Sequence, residues 1–200
     1  MSPILSLQSV TLPRGAVRNL SIDFAPGVHL IVGPNGVGKT SLLNSIAGTL
    51  PPVTGSIRLA GELLESGSTQ VVMAPNTPPD IPWIRAGLLL DFIVSLYPAT
   101  RRDVQAARAI IDGLGIAAFL NAPLGTLSAG TARKLLLAAA LIAAPPVLLF
   151  DEPTNEIDLE SIGALLEFLR DAARERVVLI TTHHATDLAV LEPGVLDLNS

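Results

Sequence analysis

Residues 33–41, Gly33-Pro34-Asn35-Gly36-Val37-Gly38-Lys39-Thr40-Ser41, set three glycines, a lysine and two hydroxyls between an apolar run at 28–32 and a helix-like stretch that begins near Lys39. Glycines reach backbone angles closed to other residues, so a loop of this kind can turn its N–H groups inward and wrap phosphates. The helix that follows adds its positive N-terminal end. Lys39 offers a full charge to the β and γ phosphates, and the Thr40 hydroxyl suits a magnesium ion. Average residue usage makes a chance match of this pattern roughly a one-in-two-thousand event. The chemistry it implies is binding of a nucleoside triphosphate.

A second constellation lies over a hundred residues on. Val147-Leu148-Leu149-Phe150-Asp151-Glu152 is an apolar strand that delivers two carboxylates at its C-terminal end, which is where ligands sit in open α/β sheets. Opposite a phosphate loop, Asp151 is placed to hold the magnesium, directly or through water, and Glu152 to accept a proton from an attacking water.

The elements that must position these residues are legible as patterns. Short strands are predicted at 5–10, 19–24, 28–32, 56–59 and 70–73, separated by Pro13-Arg14-Gly15, Pro26-Gly27 and Pro51-Pro52-Val53-Thr54-Gly55. The strand before Gly33 is apolar throughout, as a strand buried on both faces would be; the others read as antiparallel and peripheral. From Asn76 to Thr126 the pattern turns to helices punctuated by prolines. Thr100 with Asp103 three residues later is a capping signal, followed by Val104, Ala107, Ile111 and Leu114 at helical spacing. Helix (130–143), strand (147–150), helix (159–173) and strand (177–181) then alternate, which implies a parallel sheet with right-handed crossovers. The fold class is therefore α/β.

Two hundred residues suit one domain with a real core. Without cysteine there is no disulfide framework and no thiolate metal site. A net charge of −5, with 13 dispersed Lys and Arg, offers no broad field for nucleic acid, and none is expected as a partner. The pairs Arg101-Arg102 and Arg133-Lys134 read as solvated helix faces. Met1 to Ser6 lacks the character of a signal peptide. Residues 135–150 form the most apolar stretch, but it is short for a membrane span and Pro145-Pro146 divides it, so a helix followed by a buried strand is expected.

These residues resemble a known family. Leu127-Ser128-Ala129-Gly130-Thr131 is similar to the signature motif of ATP-binding-cassette (ABC) ATPases, usually Leu-Ser-Gly-Gly-Gln. Asp151-Glu152-Pro153-Thr154-Asn155-Glu156-Ile157-Asp158 resembles that family's strand end and dimer loop, and Thr182-His183 its histidine switch. The resemblance implies a single ABC ATPase domain over 1–200: a P-loop NTPase core with a parallel sheet, an N-terminal antiparallel β subdomain and an inserted helical subdomain at about 76–144. It implies ATP and Mg2+ as ligands. Ser128 and the Gly130 N–H would cap the γ phosphate held by the opposite protomer. His183 would contact the γ phosphate and help orient the attacking water, and Asp158 would reach across the dimer interface. His184 reads as an exposed neighbour.

Four departures stand out. Asn76 occupies the place of a glutamine that touches the magnesium site and senses the membrane subunit, with one methylene less reach. The adenine-stacking aromatic expected near Leu12 to Arg14 is missing, leaving Arg14 either to stack by its guanidinium or to serve as a turn residue. Thr131 replaces the signature glutamine and Ala129 one glycine. Asn155-Glu156 replaces small residues of the dimer loop.

By resemblance the chain is the nucleotide-binding subunit of an ABC transporter. It would pair with a second copy of itself or a related ABC ATPase, and dock on an integral membrane subunit from the cytoplasmic face of the membrane. Its length and Leu-Ser-Ala-Gly resemble the small ATPases of exporter-type systems such as haem export. The docking surface would lie near Asn76 in the helical insert, where Pro82-Trp83-Ile84 makes Trp83 either a contact or a core residue. The alternatives are a soluble ABC ATPase outside transport and a low-turnover ATP-dependent regulatory module. No Asn-Lys-x-Asp motif occurs, which disfavours a GTPase.

Overall fold

In the computed structural model, which describes residues 4–97, 104–183 and 185–199, the chain forms two sheets. The strands are β1 (Leu5–Thr11), β2 (Leu20–Phe24), β3 (Gly27–Val32), β4 (Thr54–Leu59), β5 (Glu62–Leu63), β6 (Val71–Ala74), β7 (Val147–Asp151), β8 (Val177–Thr181) and β9 (Gly194–Asp197). The helices are α1 (Lys39–Ile46), α2 (Ala86–Ser95), α3 (Val104–Gly113), α4 (Ala129–Ala143) and α5 (Leu159–Ala173). An antiparallel sheet runs β2-β1-β4-β5, and a parallel sheet runs β6-β7-β8-β3-β9.

The parallel sheet explains why its strands are apolar on both sides. Along β7, Leu148 and Phe150 enter the core shared with α2, α4 and α5, whereas Val147 and Leu149 enter the core shared with α1 and the antiparallel sheet. On β8, Val178 and Ile180 go one way and Val177 and Leu179 the other. The period of two therefore continues into the chemistry: Asp151 is in phase with Leu149, and Thr181 with Leu179, so both side chains leave the strand ends on the α1 side.

The predicted strand at 70–73 is corrected in one respect. β6 pairs in parallel with β7, not antiparallel at the periphery, and forms one edge of the central sheet. A short apolar strand carries no mark of its partner's direction; that is set by the long crossover through the helical insert. The register Ala74↔Phe150 brings Pro75 and Asn76 alongside Asp151 and Glu152. The short strands β5 and β9 are additions that the sequence pattern did not announce. The capping signal at Thr100 and Asp103, the Arg101-Arg102 pair and His184 lie outside the described residues. Among the described residues, no helix is long and apolar enough to cross a membrane.

Candidate functional site

The loop after β3 turns through glycines in the left-handed region, and Gly38, at φ +118°, hands the chain to α1 without a side-chain cap on its first N–H groups. The β1–β2 turn supports this loop from below. Ala16 N–H donates to Val37 O at 2.8 Å, and a Cβ on Gly15, whose φ is +87°, would stand 2.5 Å from that same carbonyl. Only glycine allows this approach. Arg18 pins the turn by donating from Nη1 to the carbonyls of Leu12, Gly15 and Val17.

The residues gather around a cavity of about 400 Å³ lined by Arg14, Gly15, Asn35, Gly36, Gly38, Lys39, Thr40, Ser41, Asn76, Asp151, Glu152 and His183. Lys39 is buried, and its Nζ donates to Gly33 O at 2.7 Å and Pro34 O at 3.3 Å. The Thr40 hydroxyl donates to the Asp151 carboxylate at 3.1–3.2 Å, and Thr181 Oγ1 donates to Asp151 Oδ1 at 2.5 Å. Hard oxygens from α1 and β7 thus converge, and they fit a magnesium ion in donor type.

Glu152 is buried beside them. Its N–H donates to Thr181 O, at 3.1 Å, as the β7–β8 ladder ends, and its own φ of +50° swings the chain out of strand geometry. His183 N–H donates to Glu152 Oε2 at 3.2 Å, and His183 Nε2 stands 3.2 Å from Oε1. That approach lacks hydrogen-bond geometry, so among the described residues Oε1 is a buried carboxylate oxygen without a hydrogen-bond partner. A carboxylate oxygen left without a hydrogen bond keeps an unused acceptor site.

The structure separates the remaining sequence-predicted residues from this cavity. Ser128 caps α4, accepting from Thr131 N–H at 3.1 Å, with the two hydroxyls 2.8 Å apart. Thr131, in the glutamine's place, is thus spent on the cap. Gly130 packs so closely on the loop between β7 and α5 that a Cβ there would lie 2.3 Å from Glu156 O. Leu127 is partly buried against the helical core, and Ala129 lines a neighbouring cavity of about 380 Å³ with Asn76 and Glu156.

Asp158 caps α5, its carboxylate accepting from Ser161 N–H at 2.9 Å, from Ser161 Oγ at 3.0 Å and from Lys134 Nζ at 2.9 Å. The Ser161 backbone bond, then Lys134, hold its pKa well below the usual aspartate range. A depressed folded-state pKa stabilises the fold above the unfolded pKa, and that contribution fades as pH falls through the folded value. Asp158→Ala should therefore cost about 1 kcal/mol at neutral pH, a gap that narrows below about pH 4 in urea titrations of both proteins.

Two side chains depart from expectation. Arg133 and Lys134 are not a solvated face: Arg133 is 2% exposed and the Lys134 side chain 12%. The signal was present in α4, whose run Ala132, Leu135, Leu136, Leu137 is buried nearly all round and leaves no solvated side at that turn. Trp83, in contrast, is 72% exposed and is not a core residue.

A family profile for "ABC transporter" matches residues 17–155. The chain is 37% identical over 198 residues to the Nod factor export ATP-binding protein I of Burkholderia orbicola, covering 89% of this chain and 63% of that one. It is 32% identical over 192 residues to the cytochrome c biogenesis ATP-binding export protein CcmA of Pseudomonas syringae, covering 93% and 88%. It also matches two ABC transporter A family members of Dictyostelium discoideum at 30% identity, spanning 12% of the length of each. In fold it superposes on a bacterial Atm1-family ABC exporter with ATP bound, with a TM-score of 0.79 at 21% identity over 98% of this chain and 38% of that one.

Proposed function

Because the chain belongs to the ABC transporter family of ATP-binding proteins, we propose that it is the subunit that binds and hydrolyses ATP to drive a separate membrane subunit. The observation that carries this is the meeting of Lys39, Thr40, Asp151 and Glu152 around one cavity. Lys39 and the free N–H groups of the loop and α1 would bind the β and γ phosphates. Thr40 and Asp151 would hold Mg2+, with Asn76 lining the same cavity. When bound, the ion neutralises phosphate charge.

Glu152 would take the proton of the attacking water, and His183 would fix the Glu152 carboxylate through its N–H. Ser128 and Gly130 do not line this cavity, so the γ-phosphate cap they offer would have to serve a second copy. The working form would then be an ATP-bridged dimer, with Asp158 at the dimer loop. Relatives named for Nod factor export and for cytochrome c biogenesis export favour export as the direction. The chain would sit on the cytoplasmic face of a membrane.

The membrane subunit would dock on the helical segment. Residues 82–87 are strapped to 120–125 by hydrogen bonds from Gly125 N to Pro82 O (2.9 Å), Leu124 N to Ile84 O (2.8 Å), Ala86 N to Ala122 O (2.9 Å) and Gly87 N to Leu120 O (2.7 Å). This rigid strap holds Trp83 outward. Leu88, Phe92 and Leu96, four apart and each more than half exposed, continue an apolar stripe along α2. A tryptophan on a preordered apolar patch is a strong anchor for a partner. Trp83→Glu is expected to release the chain from membranes while its melting temperature and magnesium-dependent ATP hydrolysis stay near wild type. Membrane recovery of the folded variant equal to wild type would rule this surface out. Hydrolysis of ATP by the purified chain, abolished by chelating Mg2+, tests the enzymatic reading directly.

A further inference from the structure

Among the described residues, the largest fully buried side chain is a cation. Arg133, on the second turn of α4, sends Nη1 to Pro75 O at 2.5 Å and Nη2 to the carbonyls of Asp151 and Glu152, the latter at 3.0 Å. Among the described residues it has no ion-pair partner within contact, and its Nε is buried without an acceptor. Burial pushes the guanidinium's pKa down, opposed by the field of Asp151, Glu156 and Glu152. Taking such an ion out of water costs several kcal/mol. A leucine or methionine would fill the same space without that cost, so packing alone does not account for an arginine here.

What the guanidinium does is join two strand ends to one helix. Pro75 follows β6 and precedes Asn76; Asp151 and Glu152 end β7. Glu152 stands in the left-handed region, which disfavours a branched-off side chain by about 1–2 kcal/mol, and its conformation is held from two sides. Its N–H is tied to Thr181 on β8, and its C=O to Arg133 on α4. Without the second tie the peptide after Glu152 loses its buried donor, and Glu152 loses its fixed place on the cavity wall. The same helix begins at Ser128 and packs along α2, which carries the exposed apolar stripe.

We propose that Arg133 is a positioning residue for ATP hydrolysis, holding Glu152 and the Asn76 loop in register with helix α4. A tilt of the helical segment, by a partner on α2 or a nucleotide at Ser128, then reaches the proton acceptor through three carbonyl bonds. The inference rests on Glu152 being the base.

The test is a double-mutant cycle on kcat. Arg133→Met keeps the volume and removes the donors; it should bind ATP, with Mg2+ present, with wild-type affinity and lower kcat about 30- to 100-fold, the scale of a misaimed group. Arg133→Lys, which restores one donor, should recover part of the loss. In the Glu152→Gln background the base is already gone, so Arg133→Met should lower the residual rate by less than about threefold. An equal loss of kcat in both backgrounds, or an unchanged kcat, overturns the proposal. If Arg133→Met does not fold, the same cycle run with Arg133→Lys decides between the same outcomes. Full turnover in Glu152→Gln alone overturns the assignment of the base, and Arg133's role with it. Loss of turnover there with additive loss on Arg133 substitution overturns only the role of Arg133.

Discussion

Glu152→Gln should bind ATP as tightly as wild type and hydrolyse it at least about a hundredfold more slowly, the scale of losing a positioned base. The substitution keeps the side chain's volume in a buried site, and the His183 N–H still finds an oxygen acceptor. What disappears is the carboxylate's ability to take up a proton. Binding and chemistry would therefore separate: affinity would rest on the loop and α1, and turnover on the end of β7. Slow turnover also traps the nucleotide-bound state. Since Ser128 and Gly130 stand outside the cavity of their own chain, ATP should convert Glu152→Gln from monomer to dimer in sedimentation velocity. Turnover at the wild-type rate would remove Glu152 from the mechanism, and a persistent monomer at high protein and ATP concentration would argue against pairing with itself.

Much of this site was legible because its chemistry sits where elements change. The glycines of 33–38, the step to Lys39 and the acids after an apolar strand are all punctuation, and punctuation survives in a single sequence. Which side of the sheet Asp151 leaves was not legible: β7 is apolar at every position before it, and only the two packed cores tell its faces apart. Partner direction was not legible: Val71 to Ala74 is apolar whether it pairs parallel or antiparallel, and only the crossover decides. Nor was β9, whose four residues follow Pro193 and whose Gly194 packs against the His29 ring.

Arg133 was misread because two adjacent basic residues are usually a solvated face. Here the helix is enclosed by α2, α3 and α5, so Arg133 reaches inward to three carbonyls, and Lys134 to Asp158 and Ser161. Those acceptors lie on elements distant in sequence, and no local pattern announces them. Arg14 lines the phosphate-loop cavity from the β1–β2 turn, beside Gly15.

Lys39→Ala should lose ATP binding while leaving the fold intact, and the structure supplies the reason that these two effects part. Lys39 is 7% exposed, and among the described residues its ammonium is held by two neutral carbonyls, of Gly33 and Pro34. A charge buried on those terms gains little for the unliganded protein, because its desolvation is not offset by an opposite charge. Its gain arrives with the phosphates, whose pairing with a buried cation is worth about 2–5 kcal/mol when one partner is removed. Affinity for ATP should therefore fall at least about thirtyfold, whereas the melting temperature without nucleotide should stay within a few degrees of wild type, on the order of a 1 kcal/mol change. The two readouts come from one thermal-shift titration: wild type should melt higher as ATP is added with Mg2+, because a ligand bound only to the native state stabilises it, and Lys39→Ala should show no such rise over the same range. A variant that still gains stability with ATP as wild type does would place the phosphates elsewhere than on this loop.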